Sequence, residues 1–139
     1  MITDQELIRL ALCAREHAYT PYSHFQVGAA LLSVDDHVYQ GCNVENAGYT
    51  PSNCAERTAV FKAVSEGKTE FTKIAIVGGP EGYKPNNLTP PCGVCRQVLR
   101  EFVDPKNFQI IVAVSEENYK VFTLEQLLPL SFGPEDLGV

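Results

Sequence analysis

Three cysteines and one carboxylate constrain this chain more tightly than its hydrophobic pattern does. Cys54-Ala55-Glu56 opens one helical pattern, with Ala59, Val60, Ala63 and Val64 as its apolar stripe and Gly67 as its stop. Pro91-Cys92-Gly93-Val94-Cys95 opens a second, which Val94, Val98, Leu99 and Phe102 carry inward, with Pro91 suited to the first helical position. Cysteines three apart at a helix start share one face of a single turn, so Cys92 and Cys95 can grip one ion. If Cys54 is to join them, the fold must bring two helix N-termini together.

The remaining pattern supplies a frame for that meeting. Thr3 and Glu6 form a capping box, and Leu7, Leu10, Ala11 and Ala14 predict a first helix running to about Ala18. Pro21-Tyr22-Ser23 breaks it, and residues 25–34 read as a buried strand. Asp35-Asp36 turns the chain into a second strand over residues 37–43, and a polar loop over 44–53 leads to Cys54, with Ser52 or Asn53 as the helix cap. Residues 71–77, 108–114 and 119–122 are further strands, and Thr123 with Gln126 caps a last helical turn. Residues 78–91, rich in Gly, Pro and Asn, are long for a connection and read as a lid, an assembly contact or an inert surface loop. Strands alternate with helices, so the expected class is α/β, a central sheet of about five strands covered by helices in one domain, 1–139.

Composition enters through what it excludes. Eleven basic against seventeen acidic side chains give a net charge of −6, which is unsuited to a nucleic-acid binder whose affinity comes from neutralising phosphates. The longest apolar runs fall far short of the roughly 20 residues of a membrane span. The acidic start, Met1-Ile2-Thr3-Asp4-Gln5-Glu6, lacks the basic and apolar regions of a secretion signal, so a cytoplasmic protein is expected. Five cysteines are an odd number, and in a reducing compartment they favour metal or catalytic roles over a disulfide framework. Cys13 and Cys42 match no ligand pattern and read as small apolar side chains.

Zinc takes thiolate ligands in tetrahedral geometry, and a catalytic site leaves the fourth position to water. Cys54, Cys92 and Cys95 provide three such ligands, and helix N-termini favour their ionised form. Glu56, two residues from Cys54, has the position of a general acid/base. Three thiolates on one divalent ion leave a net negative charge, which Arg57 can offset by hydrogen bonding to sulfur. Arg96 is either a second such donor or a surface residue. Two other readings of the cysteines remain: a redox Cys-x-x-Cys pair, and a structural zinc site, for which His17, His24 and His37 offer no supporting pattern.

The combined motifs resemble the short, homotetrameric, zinc-dependent cytidine deaminases of the cytidine and deoxycytidylate deaminase superfamily. They are Tyr22-Ser23-His24-Phe25-Gln26-Val27-Gly28-Ala29-Ala30, Asn43-Val44-Glu45-Asn46-Ala47, Cys54-Ala55-Glu56-Arg57 and Pro91-Cys92-Gly93-Val94-Cys95-Arg96-Gln97. The resemblance implies a three-layer α-β-α fold with a mixed sheet, one Zn2+ per chain, and hydrolytic deamination of cytidine and deoxycytidine in pyrimidine salvage. It implies Glu56 as the proton shuttle, Asn43 and Glu45 on the ribose hydroxyl, and Phe25 and Ala55 against the substrate. From the residues alone, Asn43 and Glu45 read as turn chemistry and Phe25 as core. The resemblance also implies that Phe132, with Ala47 and Tyr49, reaches a neighbouring subunit's site. Competing functions are deamination of a modified cytosine nucleoside such as blasticidin S, and a zinc-binding module without activity.

Overall fold

Alternate residues of the central strands point to opposite faces, and both faces are buried. The computed structural model describes residues 1–139. Its helices are α1 (Asp4–Arg15), α2 (Ala55–Ser65), α3 (Gly93–Phe102) and α4 (Leu124–Leu127), and its strands are β1 (Phe25–Ser33), β2 (Val38–Cys42), β3 (Phe71–Pro80), β4 (Gln109–Ala113) and β5 (Tyr119–Thr123). The five strands form one sheet in the order β2-β1-β3-β4-β5. β1 runs antiparallel to both β2 and β3, β4 is parallel to β3, and β5 is antiparallel to β4. The parallel pair is joined through α3, as a parallel connection requires a crossover.

On one face Ala30, Leu32, Ala75, Val77, Ile111 and Ala113 pack against Leu7, Ile8 and Ala11 of α1. On the other, Ala29, Leu31, Ile74, Ile76, Ile110 and Val112 pack against Ala59, Val60 and Ala63 of α2 and Leu99 of α3. This is the period of two expected of a sheet covered on both sides, and it makes three layers, α-β-α. Two glycines let the helices close on it. A Cβ on Gly28 would lie 2.0 Å from the Ala11 carbonyl oxygen, and one on Gly41 would lie 2.4 Å from the Ala55 carbonyl oxygen. Gly41 therefore sets how near the first turn of α2 approaches the sheet. No helix is long and apolar enough to cross a membrane.

The capping boxes at Thr3/Glu6 and Thr123/Gln126 form as the sequence indicates. Several boundaries differ from expectation. α1 stops at Arg15, not near Ala18, because Tyr19 pairs with the 43–45 segment: its N–H donates to Asn43 O at 2.9 Å and its carbonyl accepts from Glu45 N at 2.9 Å. β3 continues to Pro80, where Gly78, Gly79 and Pro80 pair with Val27, Gln26 and Phe25. A short 3-10 turn over Pro134–Leu137 was not foreseen. Arg15 is 5% exposed and has no carboxylate partner; it donates instead to the carbonyls of Gln26, Gly79, Pro80 and Tyr83, tying the start of the 81–91 strap to β1.

A candidate metal centre between two helix N-termini

Cys54 and Cys92 are the N-cap residues of α2 and α3. Contrary to the sequence expectation, α2 is not capped by Ser52 or Asn53, and Pro91 is not the first residue of α3. Ser52 Oγ instead accepts from Asn46 N at 3.0 Å, and Asn53 Nδ2 donates to Thr58 Oγ1 at 3.2 Å. Pro91 precedes the α3 cap, and its carbonyl accepts from Arg96 Nε at 2.8 Å. As caps, Cys54 and Cys92 hold extended backbone at the helix starts, where the dipole favours thiolate; Cys92 Sγ accepts from Cys95 N at 3.5 Å, whereas Cys54 makes no side-chain cap bond. Cys95, one turn into α3, is fully buried.

The three sulfurs lie within 4.8 Å of one another, and they form the only such cluster of potential ligands in the chain. Cys54 Sγ and Cys92 Sγ are 3.7 Å apart. Two thiolates about 2.3 Å from a tetrahedral zinc are about 3.8 Å apart, so the donor set fits that ion. Cys54 is pulled down to about 5, first by its hydrogen bond with Cys95 and then by those with Arg57 and Cys92, against the effect of burial. The Cys95 thiol is raised by the same bond to Cys54 and by burial. Arg57 Nη2 donates to Cys54 Sγ at 3.2 Å, while its Nε is buried without a partner. Arg96 approaches no sulfur and is no surface ion pair; besides Pro91 O, it donates to Leu127 O at 2.6 Å, fastening the C-terminal segment to α3.

Glu56 is 4% exposed, and burial pushes its carboxyl up to about 7, with the Cys54 charge adding to the shift. It shares with Cys54 and Cys92 the lining of a cavity of about 300 Å3. Asn43 and Glu45 are in the same wall, and Val44 between them pairs with Asn53 through two 2.9 Å backbone hydrogen bonds. The segment bearing Asn43 and Glu45 is thus fixed in register with the residue before Cys54. Asn43 is locked further: its Oδ1 accepts from Val27 N at 2.8 Å and its Nδ2 donates to Phe25 O at 2.9 Å.

Other site candidates lie outside that lining. Ala55 is buried at the first position of α2, and Phe25 is 38% exposed at the start of β1. Tyr49, 75% exposed, sits edge-on to Tyr22, Ala47 is exposed, and Phe132 is 59% exposed. Thr89 and Pro90 line the cavity, although no sequence motif marked them. The available signal was their place immediately before the Pro91-Cys92 pair, which forces the end of the strap against the metal ligands.

Comparison with known proteins agrees with this geometry. Residues 1–112 match the family model described as the cytidine and deoxycytidylate deaminase zinc-binding region. A cytidine deaminase of Halalkalibacterium halodurans is 47% identical over 134 residues, 96% of this chain and 97% of that one. One of Sporosarcina psychrophila is 45% identical over 96% of this chain and 94% of that one. The crystal structure of cytidine deaminase from Burkholderia pseudomallei superposes with a TM-score of 0.85 at 44% identity, covering 94% of this chain and 100% of that one. With three converging thiols, a buried carboxylate beside them and this degree of likeness, the chain belongs to the cytidine and deoxycytidylate deaminase family of zinc-binding proteins.

Proposed function

We propose that the protein is a hydrolase that deaminates cytidine and deoxycytidine to uridine and deoxyuridine, water adding at C4 of the base and ammonia leaving from it, within one catalytic unit spanning 1–139. The observation that carries this reading is the cavity that Glu56 shares with Cys54 and Cys92. Zinc, when bound by Cys54, Cys92 and Cys95, supplies a Lewis acid and makes water nucleophilic near neutral pH. Glu56, with its carboxyl raised to about 7, takes up or releases a proton at neutral pH. It takes a proton from the attacking water and delivers it to N3 of the pyrimidine, then takes the proton of the hydroxyl added at C4 and delivers it to the departing amine. Arg57 offsets the excess negative charge of three thiolates through its bond to Cys54.

Asn43 and Glu45 face the ribose, and Phe25 and Ala55 complete the contacts to substrate. The half-buried Asn43 amide and Glu45 carboxylate reject a sugar without the matching hydroxyl, because bound substrate would shut them off from water and leave them unpaired. The protein works as a homotetramer in which Ala47, Tyr49 and Phe132 enter a neighbour's pocket. Supporting this, Tyr49 and Phe132 expose large apolar surface and neither lines the chain's own cavity. A cytoplasmic setting keeps the three ligand thiols reduced, and pyrimidine salvage is the role that fits the substrate. The direct test is ammonia release from cytidine by zinc-loaded protein. Turnover is expected, and its absence with zinc bound overturns the reading.

A further inference from the structure

The carboxylate of Glu45 is held by a short stretch just before β1. Its Oε1 accepts from Tyr22 N at 3.0 Å and from Ser23 N at 3.1 Å. Its Oε2 accepts from the Ser23 hydroxyl. That hydroxyl is oriented in turn, because Ser23 Oγ accepts from Phe25 N at 3.0 Å. Ser23 Oγ thus links Phe25 N to Glu45 Oε2, accepting from the one and donating to the other. Two features follow from the hydrogen-bond inventory of a carboxylate. Oε1 already accepts twice, whereas Oε2 accepts once and keeps a lone pair. Glu45 also stays ionised: the Ser23 hydroxyl above all, with the Ser23 and Tyr22 N–H groups, holds it below the usual carboxylate range against the opposing effect of burial.

Across the same cavity wall, Asn43 has spent Oδ1 on Val27 and one N–H on Phe25, leaving one N–H free. The pair therefore presents one acceptor, Glu45 Oε2, and one donor, Asn43 Nδ2. A hydroxyl group matches both at once, donating to the first and accepting from the second.

We propose that Ser23 is a positioning residue for sugar selectivity: its hydroxyl fixes Glu45 Oε2 so that a nucleoside must donate a sugar O–H there to pair the carboxylate. This rests on the reading of the protein as a cytidine deaminase with Glu45 at the ribose. Without the hydroxyl, Glu45 keeps its two backbone donors but Oε2 is free to turn, and Phe25 N loses its acceptor.

The test compares cytidine with 2′,3′-dideoxycytidine on zinc-loaded parent, Ser23→Ala and Ser23→Thr proteins, with KM and kcat measured separately and thermal unfolding as a check on the fold. Ser23→Ala is expected to raise KM for cytidine about tenfold, the size of one hydrogen bond to a charged group, with kcat changed about twofold or less. KM for the dideoxy analogue is expected to stay level, so discrimination between the two falls about tenfold. Ser23→Thr, which keeps a hydroxyl, restores it. An equal change for both substrates marks a merely structural role and overturns the proposal, as does an unchanged ratio. If the parent releases no ammonia from cytidine, the deaminase reading fails and the proposal with it; parent turnover with an unaltered ratio in Ser23→Ala defeats the proposal alone.

Discussion

Arg57 places a permanent positive charge 3.2 Å from the sulfur of Cys54, and its consequence is thermodynamic. A zinc ligand must shed its proton, so whatever stabilises thiolate strengthens metal binding at a given pH. Arg57→Ala removes that charge, lets protons compete better for Cys54, and is expected to weaken zinc binding about 10- to 100-fold in a chelator competition; an unchanged affinity would show that the helix N-termini suffice. Side chains whose role depends on ligand chemistry were legible in sequence. Cys54, Cys92 and Cys95 declare themselves by spacing at two helix starts, and the structure brings their sulfurs together. Arg96 was not legible, because its acceptors are the backbone carbonyls of Pro91 and Leu127, and the second lies 31 residues away. The bonds from Ser23 to Glu45 were hidden for the same reason: they span 22 residues and two polar loops.

The elements align the site because α2 sits close to the sheet at a place where the sheet has no side chain. Gly41→Ala puts a Cβ against the Ala55 carbonyl and the Ala59 N–H, both backbone atoms that can retreat only with the helix. It is expected to cost about 1–3 kcal/mol in urea unfolding, the usual penalty of overpacking, and to lower zinc affinity by moving Cys54. The β1–β2 turn offers a pH-dependent counterpart far from the metal. Asp35 pairs with Lys68 at 2.8 Å and accepts from the Ser33 hydroxyl and His37 N. Its carboxyl is held well below the usual range, first by Lys68 and then by Ser33. A depressed carboxylate stabilises the fold above its unfolded pKa of about 3.9 and loses that contribution as pH falls toward the folded value. The stability gap between parent and Asp35→Asn should therefore be widest near neutral pH and close in acid; a gap independent of pH would contradict the assignment. Composition misread one boundary here. Gly78-Gly79-Pro80 has the look of a loop, yet β1 lies alongside and pairs with it, and tertiary pairing outweighs local propensity. The two-faced pattern of β1, β3 and β4 was legible because burial on both sides leaves little choice of residue.

The whole molecule presents its ligands at one end of a three-layer sandwich and leaves several apolar side chains uncovered. Its C-terminal segment is pinned to α3, with Gln97 Nε2 donating to Phe132 O at 2.8 Å and Arg100 bound to Ser131 and Glu135. The Phe132 ring itself remains 59% exposed. An anchored backbone carrying an exposed ring suits a group offered to another subunit. Phe132→Ala is accordingly expected to raise KM for cytidine while leaving the unfolding midpoint of the subunit nearly unchanged; an unaltered KM would place the ring outside the site. Residue spacing and periodicity do not reveal this arrangement, since they describe one chain and the proposed pocket needs two; in the sequence it follows only from the family resemblance. The central claim joins the metal to the proton shuttle, and Glu56→Gln separates them. Measured on one sample, zinc content should stay near one per chain while ammonia release from cytidine falls at least about 10²-fold, as expected when general acid/base catalysis is removed. Full turnover in a zinc-loaded Glu56→Gln protein would contradict the claim.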